Sequence, residues 1–180
     1  MNITTATPND VSQLTKLINV AYRGDGSHQG WTSEEDILGG IRIDEPTLSH
    51  LLTQENIKVL KCTDQADDIL GTVCLELKSS ELYLGMFAVS PAAQGLGIGK
   101  ALMAAAVQFA LANHCKQITI TVISTRTALI QWYERQNYRP TGKFIKFDDL
   151  ESKFGDPKVE DIQLMEMSLS LSSASRATTD

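Results

Sequence analysis

Apolar positions along the chain switch between two spacings, about 3.6 residues and two residues, and the switches divide it into elements. Ile3 to Ala6 reads as a short extended piece. Thr7, Pro8 and Asp10 supply a cap, a first-turn proline and a charge that favours the helix dipole, and Val11, Leu14, Leu17, Ile18 and Ala21 form a helical stripe up to Tyr22. The polar, glycine-rich run from Arg23 to Trp31 predicts a loop carrying one large aromatic. Thr32 or Ser33 can cap a short acidic helix from Glu34 to Leu38, and Leu48, Leu51 and Leu52 predict another brief helix after Pro46. From Ile57 the pattern is that of strands: Ile57 to Cys62 and Ile69 to Leu77 as a hairpin, then Leu82 to Val89, apolar enough for a central strand covered on both faces. Ile98, Leu102, Ala105, Phe109 and Ala112 mark a helix, and Gln117 to Ile123 is a β-branched strand. Ala128 to Gln136 reads as a second crossover helix closed by Asn137, followed by the strands Tyr138 to Phe147 and Gln163 to Leu169. This order predicts an α/β fold, a mixed sheet with helices on both faces.

The 180 residues suffice for one domain with a sizeable core, read as residues 1–169. The Ser, Thr and Ala of 170–180 have little to bury and predict a disordered tail. A net charge of -6 opposes phosphate backbones, so no nucleic acid is expected as partner. No apolar run reaches the length of a membrane span, and the opening residues lack the basic region and apolar stretch of a signal peptide, which predicts the cytoplasm and no membrane. Cys62, Cys74 and Cys115 form no CxxC pair and read as buried free thiols. No metal is expected.

The segment richest in chemistry is Val89-Ser90-Pro91-Ala92-Ala93-Gln94-Gly95-Leu96-Gly97-Ile98-Gly99-Lys100, a strand that runs through alternating glycines into a helix. Free amides and the helix dipole converge at such a junction and suit an anion such as pyrophosphate. A P-loop needs glycine where Gln94 stands and Ser or Thr where Ala101 stands, and a dinucleotide fingerprint starting at Gly95 would put its third glycine on Lys100. Neither pattern fits.

Gln94-Gly95-Leu96-Gly97-Ile98-Gly99 resembles the Gln/Arg-x-x-Gly-x-Gly/Ala loop of the GNAT superfamily of N-acetyltransferases, in the same place between strand and helix. The resemblance extends in element order from Ile3 to Leu169 and implies a largely antiparallel sheet of about seven strands with a split at the central strand. It implies that Gln94, Gly95, Leu96, Gly97, Ile98, Gly99 and Lys100 hold the pyrophosphate of acetyl-CoA as co-substrate, and that Phe87, Ala88 and Val89 pair with its pantetheine arm through main-chain groups. One amide there can also stabilise an oxyanion. Gly85 is consistent with either a bulge or a close backbone approach. The run Arg126 to Tyr138 is similar to the family's helix ending in Tyr-Glu-Lys-x-Gly-Phe, with Tyr133 in the tyrosine place, Arg126 where the family has Asn and Asn137 where it has Gly.

Attack of an amine on a thioester needs a neutral amine, an oxyanion donor and a proton for the thiolate. Tyr133 is the candidate acid, or else an aromatic packed on the sheet with Leu129 and Ile130. The family's usual carboxylate position on the central strand holds Tyr83; Glu81, two residues earlier on the same strand face, is the candidate base, or else a solvated charge. His28 is a further candidate base. Tyr22, Arg23 and Trp31 fall where the family covers its acceptor pocket, so Tyr22, Trp31 and Tyr83 are the acceptor-side residues, and Glu34, Glu35 and Asp36 can attract a cationic acceptor or simply favour a helix start. The expected activity is direct transfer of acetyl to a primary amine on a small molecule or peptide; the alternative is a non-catalytic acyl-CoA-binding module. An exposed strand near the C-terminus offers a surface for a homodimer.

Overall fold

A computed structural model describes residues 1–24, 33–150 and 154–171. In chain order the elements are β1 (Asn2–Thr5), α1 (Val11–Arg23), β2 (Leu38–Gly39), α2 (Glu45–Leu52), β3 (Ile57–Thr63), β4 (Ile69–Lys78), β5 (Glu81–Val89), α3 (Ile98–Ala112), β6 (Gln117–Ile123), α4 (Thr127–Arg135), β7 (Arg139–Lys146), β8 (Asp156–Pro157) and β9 (Gln163–Ser170). Seven strands form one sheet in the order β1-β3-β4-β5-β6-β9-β7, and β2 pairs with β8 in a separate ribbon. Every pairing in the large sheet is antiparallel except β5 with β6. The mixed sheet anticipated from the sequence is therefore present, with Arg139–Lys146 on one edge.

Why the helices lie where they do follows from their apolar faces. In α1, Val11, Leu14, Ile18 and Ala21 are buried against Val59, Cys74 and Ala88 on one face of the sheet, joined by Leu48 of α2. The start of this helix is fixed by Asp10, whose carboxylate accepts from the Thr7 amide at 2.7 Å and hydroxyl at 2.9 Å. On the other face α3 turns inward Ile98, Leu102, Ala106 and Ala110, steps of four residues, with Met103 beside them. The expected stripe through Ala105 and Ala112 is rotated: Ala105 is half-buried and Ala112 exposed, because the small Ala106 and Ala110 let the helix approach the sheet closely. Gly71 completes that approach, since a Cβ there would sit 2.8 Å from Ile98 Cγ2. The three cysteines are buried free thiols.

One sequence expectation is corrected. Glu34 to Leu38 is a turn leading into the two-residue strand β2, not a helix; Glu34 is drawn into ion pairs and Leu38 is fully buried with Phe147, Ile162 and Leu164. Beside Gly85, Met86 takes a left-handed φ of 45°. Thr72 pairs with Ala88 and Cys74 with Gly85, so Met86 and Phe87 stand opposite the single residue Val73, a β-bulge. The expected tail at 170–180 lies outside the described residues from 172 onward.

Gly155 tests how tightly β8 is docked. Its φ is 121°, and a Cβ would meet the Gly39 carbonyl at 2.7 Å and Arg23 Nη2 at 2.8 Å. Gly142 has a comparable φ of 85° with nothing within 4 Å. Gly155→Ala is expected to lower the thermal midpoint by several degrees more than Gly142→Ala, because only the first adds a collision to the backbone strain of about 1–3 kcal/mol. Paired calorimetric melts check it.

Candidate active site

β5 and β6 run together for only three pairs, Glu81 with Gln117, Leu82 with Ile118 and Tyr83 with Thr119. Beyond Tyr83 they part, and the bulge at Met86–Phe87 lies on the diverging arm of β5. A bulge bends its strand and increases the local twist, which carries β5 away from a neighbour that stays straight. The Tyr83 hydroxyl bridges the start of the gap to Thr121 Oγ1 at 2.8 Å. From α1 the Tyr22 hydroxyl donates to the Phe87 carbonyl at 3.0 Å and ties the bulge to that helix.

Two cavities open at this parting. One, of about 60 Å³, lies within the split and is lined by Tyr22, Glu34, Arg42, Tyr83, Arg126 and Tyr133 among others. The second, of about 320 Å³, runs between the glycine loop and α4, bounded by Val89, Gly95, Gly97, Lys100 and Trp132. Phe87 and Leu129 line both, so the two spaces share a wall. Leu129, Trp132 and Tyr133 reach this wall because positions three and four apart share a helix face. Trp132 stacks on Phe87 with ring centroids 5.8 Å apart.

The glycine loop has the features an anion site needs. Gly95 and Gly97 have φ of 83° and 82°, and a Cβ on either would meet nothing within 4 Å, so their open sides face the groove. The first helical bond runs from the Ala101 amide to the Gly97 carbonyl at 3.0 Å, which leaves the amides of Ile98, Gly99 and Lys100 without a partner in the helix. Lys100 is exposed in the first turn, where a cation opposes the helix dipole unless an anion lies close by. Gly99 serves packing instead: a Cβ would stand 3.2 Å from Phe87 Cζ.

The expected contacts divide at single residues. Ser90 donates to the Leu70 carbonyl at 2.8 Å, so by strand alternation the main-chain groups of Ala88 face β4 while those of Val89 face the split. Ala88 is thus not positioned to pair with a ligand, and its side chain is fully buried against α1. Leu96 is exposed and Ile98 is a core residue that also touches the groove. Glu81 is not among the residues lining either cavity: it sits at the closed end of the β5–β6 pair, where its carboxylate accepts from Gln117 Nε2 at 2.8 Å. Two residues of strand separate it from Tyr83, roughly 7 Å in the direction away from the split. Trp31 and His28 lie outside the described residues.

Tyr133 lies in the wall of the split, 5% exposed, edge-on to Trp132 at 5.1 Å and Tyr138 at 5.5 Å. Among the described residues no group hydrogen-bonds its hydroxyl. Burial pushes its pKa well above the usual phenol range, and the neighbouring Tyr22 adds to the shift. Burial likewise raises Tyr22 to about 12.

Among the described residues the acidic residue that reaches the cavity is Glu34. Its Oε2 takes Arg23 at 2.9 Å and its Oε1 takes Arg126 at 3.5 Å, all three side chains no more than 10% exposed. Arg126, in the place of the family's asparagine, is therefore part of the cavity wall. Arg42 also faces this space, its guanidinium 5.2 Å from the Tyr22 ring centroid and 4.2 Å from that of Phe154. Phe154 comes from the loop before β8, which the β2–β8 ribbon holds in place. Sequence reasoning missed Arg42, Phe154 and Trp132; only Trp132 carried a signal, its three-residue offset from Leu129.

The family model for the acetyltransferase (GNAT) family matches residues 14–138. Solved structures with the same fold include the ribosomal-protein-S18-alanine N-acetyltransferase of Escherichia coli, at 15% identity and a TM-score of 0.69 over 99% of each chain. A putative acetyltransferase of Acinetobacter baylyi superimposes at 13% identity and 0.72 over 99% of this chain and 97% of that one. A chimera built on the spermidine N-acetyltransferase of Vibrio cholerae does so at 12% and 0.67 over 96% and 97%. No match was found among curated proteins. The sheet, its split and the matched residues define an acetyltransferase fold, and the chain belongs to the acetyltransferase (GNAT) family. Among the described residues no helix is long and apolar enough to cross a membrane.

Burial of three of the four tyrosines, Tyr22, Tyr133 and Tyr138, sets an alkaline limit. Each is raised when folded and titrates near 10 when unfolded, so above pH 10 the unfolded chain binds fewer protons than the folded one and stability falls as pH rises. The limiting slope is about 1.4 kcal/mol per pH unit for each group. Phenolate absorbance of these three is expected to appear together with loss of circular dichroism above pH 10, not ahead of it.

Proposed function

We propose that this protein is an N-acetyltransferase in which acetyl-CoA occupies the groove beside the glycine loop and a primary amine occupies the split, the two bound together for direct transfer. The observation that carries the reading is the shared wall at Phe87 and Leu129, which sets the groove beside the glycine loop against the cavity holding Tyr133. A helix start with open glycines, unpaired amides and Lys100 supports a pyrophosphate contact. A groove of about 320 Å³ lined by Val89, whose main-chain groups face away from β4, supports a pantetheine arm beside the strand.

Acetyl-CoA, when bound, supplies the acetyl group as an activated thioester. Val89 offers its main-chain groups to the amides of the arm, and a main-chain amide of the bulged segment, held by the Tyr22 hydroxyl on Phe87, serves the developing oxyanion. Tyr133 holds a proton for the departing sulfur, since burial keeps its phenol protonated through neutral and mildly alkaline pH. The carboxylate of Glu34 is engaged at both oxygens, so the amine proton leaves through the open side of the split to water. Acceptors named for proteins of similar fold, an alanine of a ribosomal protein and spermidine, are both primary amines, which supports that class here. The cytoplasm is the compartment this reading assigns.

Gly97→Ala adds a methyl to the face that would meet the pyrophosphate, and it is expected to weaken acetyl-CoA binding by about tenfold or more; Gly142→Ala, with similar strain and no groove nearby, leaves that affinity unchanged. Calorimetric titration of both variants checks it.

Tyr133→Phe keeps the packed ring and removes the proton. Turnover is expected to fall on the order of a hundredfold with little change in acetyl-CoA affinity. Thiol release from acetyl-CoA in the presence of an amine panel measures it, and undiminished turnover would return Tyr133 to a packing role.

A further inference from the structure

The acetyl-transfer reading leaves the acceptor open, and the charges around the split narrow it. Arg42 faces the cavity with its guanidinium close to two rings, those of Tyr22 and Phe154. Its backbone amide is pinned by Asn19 Oδ1 at 2.7 Å, so the side chain starts from a fixed point. Among the described residues no carboxylate pairs with its guanidinium, and its buried Nε has no hydrogen-bond partner.

A guanidinium forms its hydrogen bonds in its own plane. There its N–H groups make a fork whose geometry matches a carboxylate, and its charge persists at every physiological pH. The other charges on this side do not neutralise it. Glu34 is the carboxylate of the cavity wall, and its two oxygens are taken by Arg23 and Arg126. Two arginines thus take the one glutamate while Arg42 lines the same cavity, in a chain whose overall charge is -6. The remaining polar lining consists of the phenols of Tyr22, Tyr83 and Tyr133 and the Thr121 hydroxyl. This reverses the expectation that Glu34 attracts a cationic acceptor: a polyamine would bring further ammonium groups toward Arg42 and find the carboxylate of the lining, among the described residues, already held.

We propose that the acceptor is a small molecule bearing a carboxylate as well as its amine, a free amino acid, with the carboxylate bound edge-on by Arg42. The proposal rests on the acetyl-transfer reading, and geometry sets its size. Tyr22 touches Arg42 with its ring face and the Phe87 carbonyl with its hydroxyl, so one phenol separates the guanidinium from the strand where transfer would occur. An amine and a carboxylate joined by one or a few carbons fit that span and a cavity of about 60 Å³.

The test uses the whole protein, acetyl-CoA and three sets of acceptors at one pH and ionic strength: the twenty protein amino acids, their amides, and spermidine. At least one amino acid is expected to exceed its own amide and spermidine by about a hundredfold in kcat/KM. Arg42→Gln should cut that preference to about tenfold or less, mainly through KM, and Arg42→Lys should retain part of it. Circular dichroism and acetyl-CoA titration establish that the variants are folded. The inference is overturned if an amide or spermidine is used as well as the best amino acid, or if folded Arg42→Gln keeps the preference. Calorimetry of the same amino acids against the protein loaded with coenzyme A separates this failure from that of the parent reading. Binding that depends on Arg42 with no turnover of any amine would sink acetyl transfer and keep the carboxylate site; neither binding nor turnover would sink both.

Discussion

Everything functional in this protein depends on the end of one strand pairing. β5 and β6 are parallel neighbours for three residues and then separate, in the middle of a sheet where unpaired backbone is costly. The bulge at Met86–Phe87 turns β5 aside, and Tyr22, Tyr83 and Phe87 hold the parted arms from three directions. The gap supplies a strand edge that a ligand can pair with and a buried space in which chemistry can be kept from water. A continuous sheet with the same residues would have neither.

The two cavities divide the work by charge and shape. The groove beside the glycine loop is the larger, open and edged by helix amides, whereas the split is small and walled by tyrosines and arginines. Their common boundary at Phe87 and Leu129 is apolar and braced by Trp132. An apolar boundary keeps the local dielectric low where the groups of the two sides meet, which strengthens each hydrogen bond made across it. It is also what raises the tyrosines: burial, more than any neighbouring charge, keeps these phenols protonated.

Charge at the site runs against the charge of the chain. The chain carries a net -6, yet Arg23 and Arg126 take Glu34 in a partly buried wall that Arg42 also lines. Removing one member of such a group leaves the others buried and uncompensated, so the cluster ties α1, the loop before α4 and the segment around β8 into one unit. Arg23 reaches the Phe154 carbonyl, and Phe154 in turn covers Arg42. The charged stretch from Asp148 to Asp161 therefore contributes directly to the wall of the split.

What the sequence determined by itself was whatever local periodicity and local backbone demands encode. The strands from Ile57 to Val89, the β-branched strand Gln117–Ile123 and the helix beginning at Ile98 follow from the spacing of apolar residues, and the glycines at 95 and 97 follow from a turn that requires positive φ. Tyr133 could be singled out because its motif is contiguous. Tertiary structure decided the rest, because those features join residues distant in the chain. Glu81 looked equivalent to Tyr83 on one strand face, but only the pairing with β6 shows that it lies at the closed end. The positive φ fell on Met86 rather than on the neighbouring glycine, since register against β4, not residue type, chose where the extra residue went. Arg42, Phe154, Glu34 and Arg126 belong to four separate segments with no common spacing, and a cluster brought together by packing leaves no period in the sequence to read.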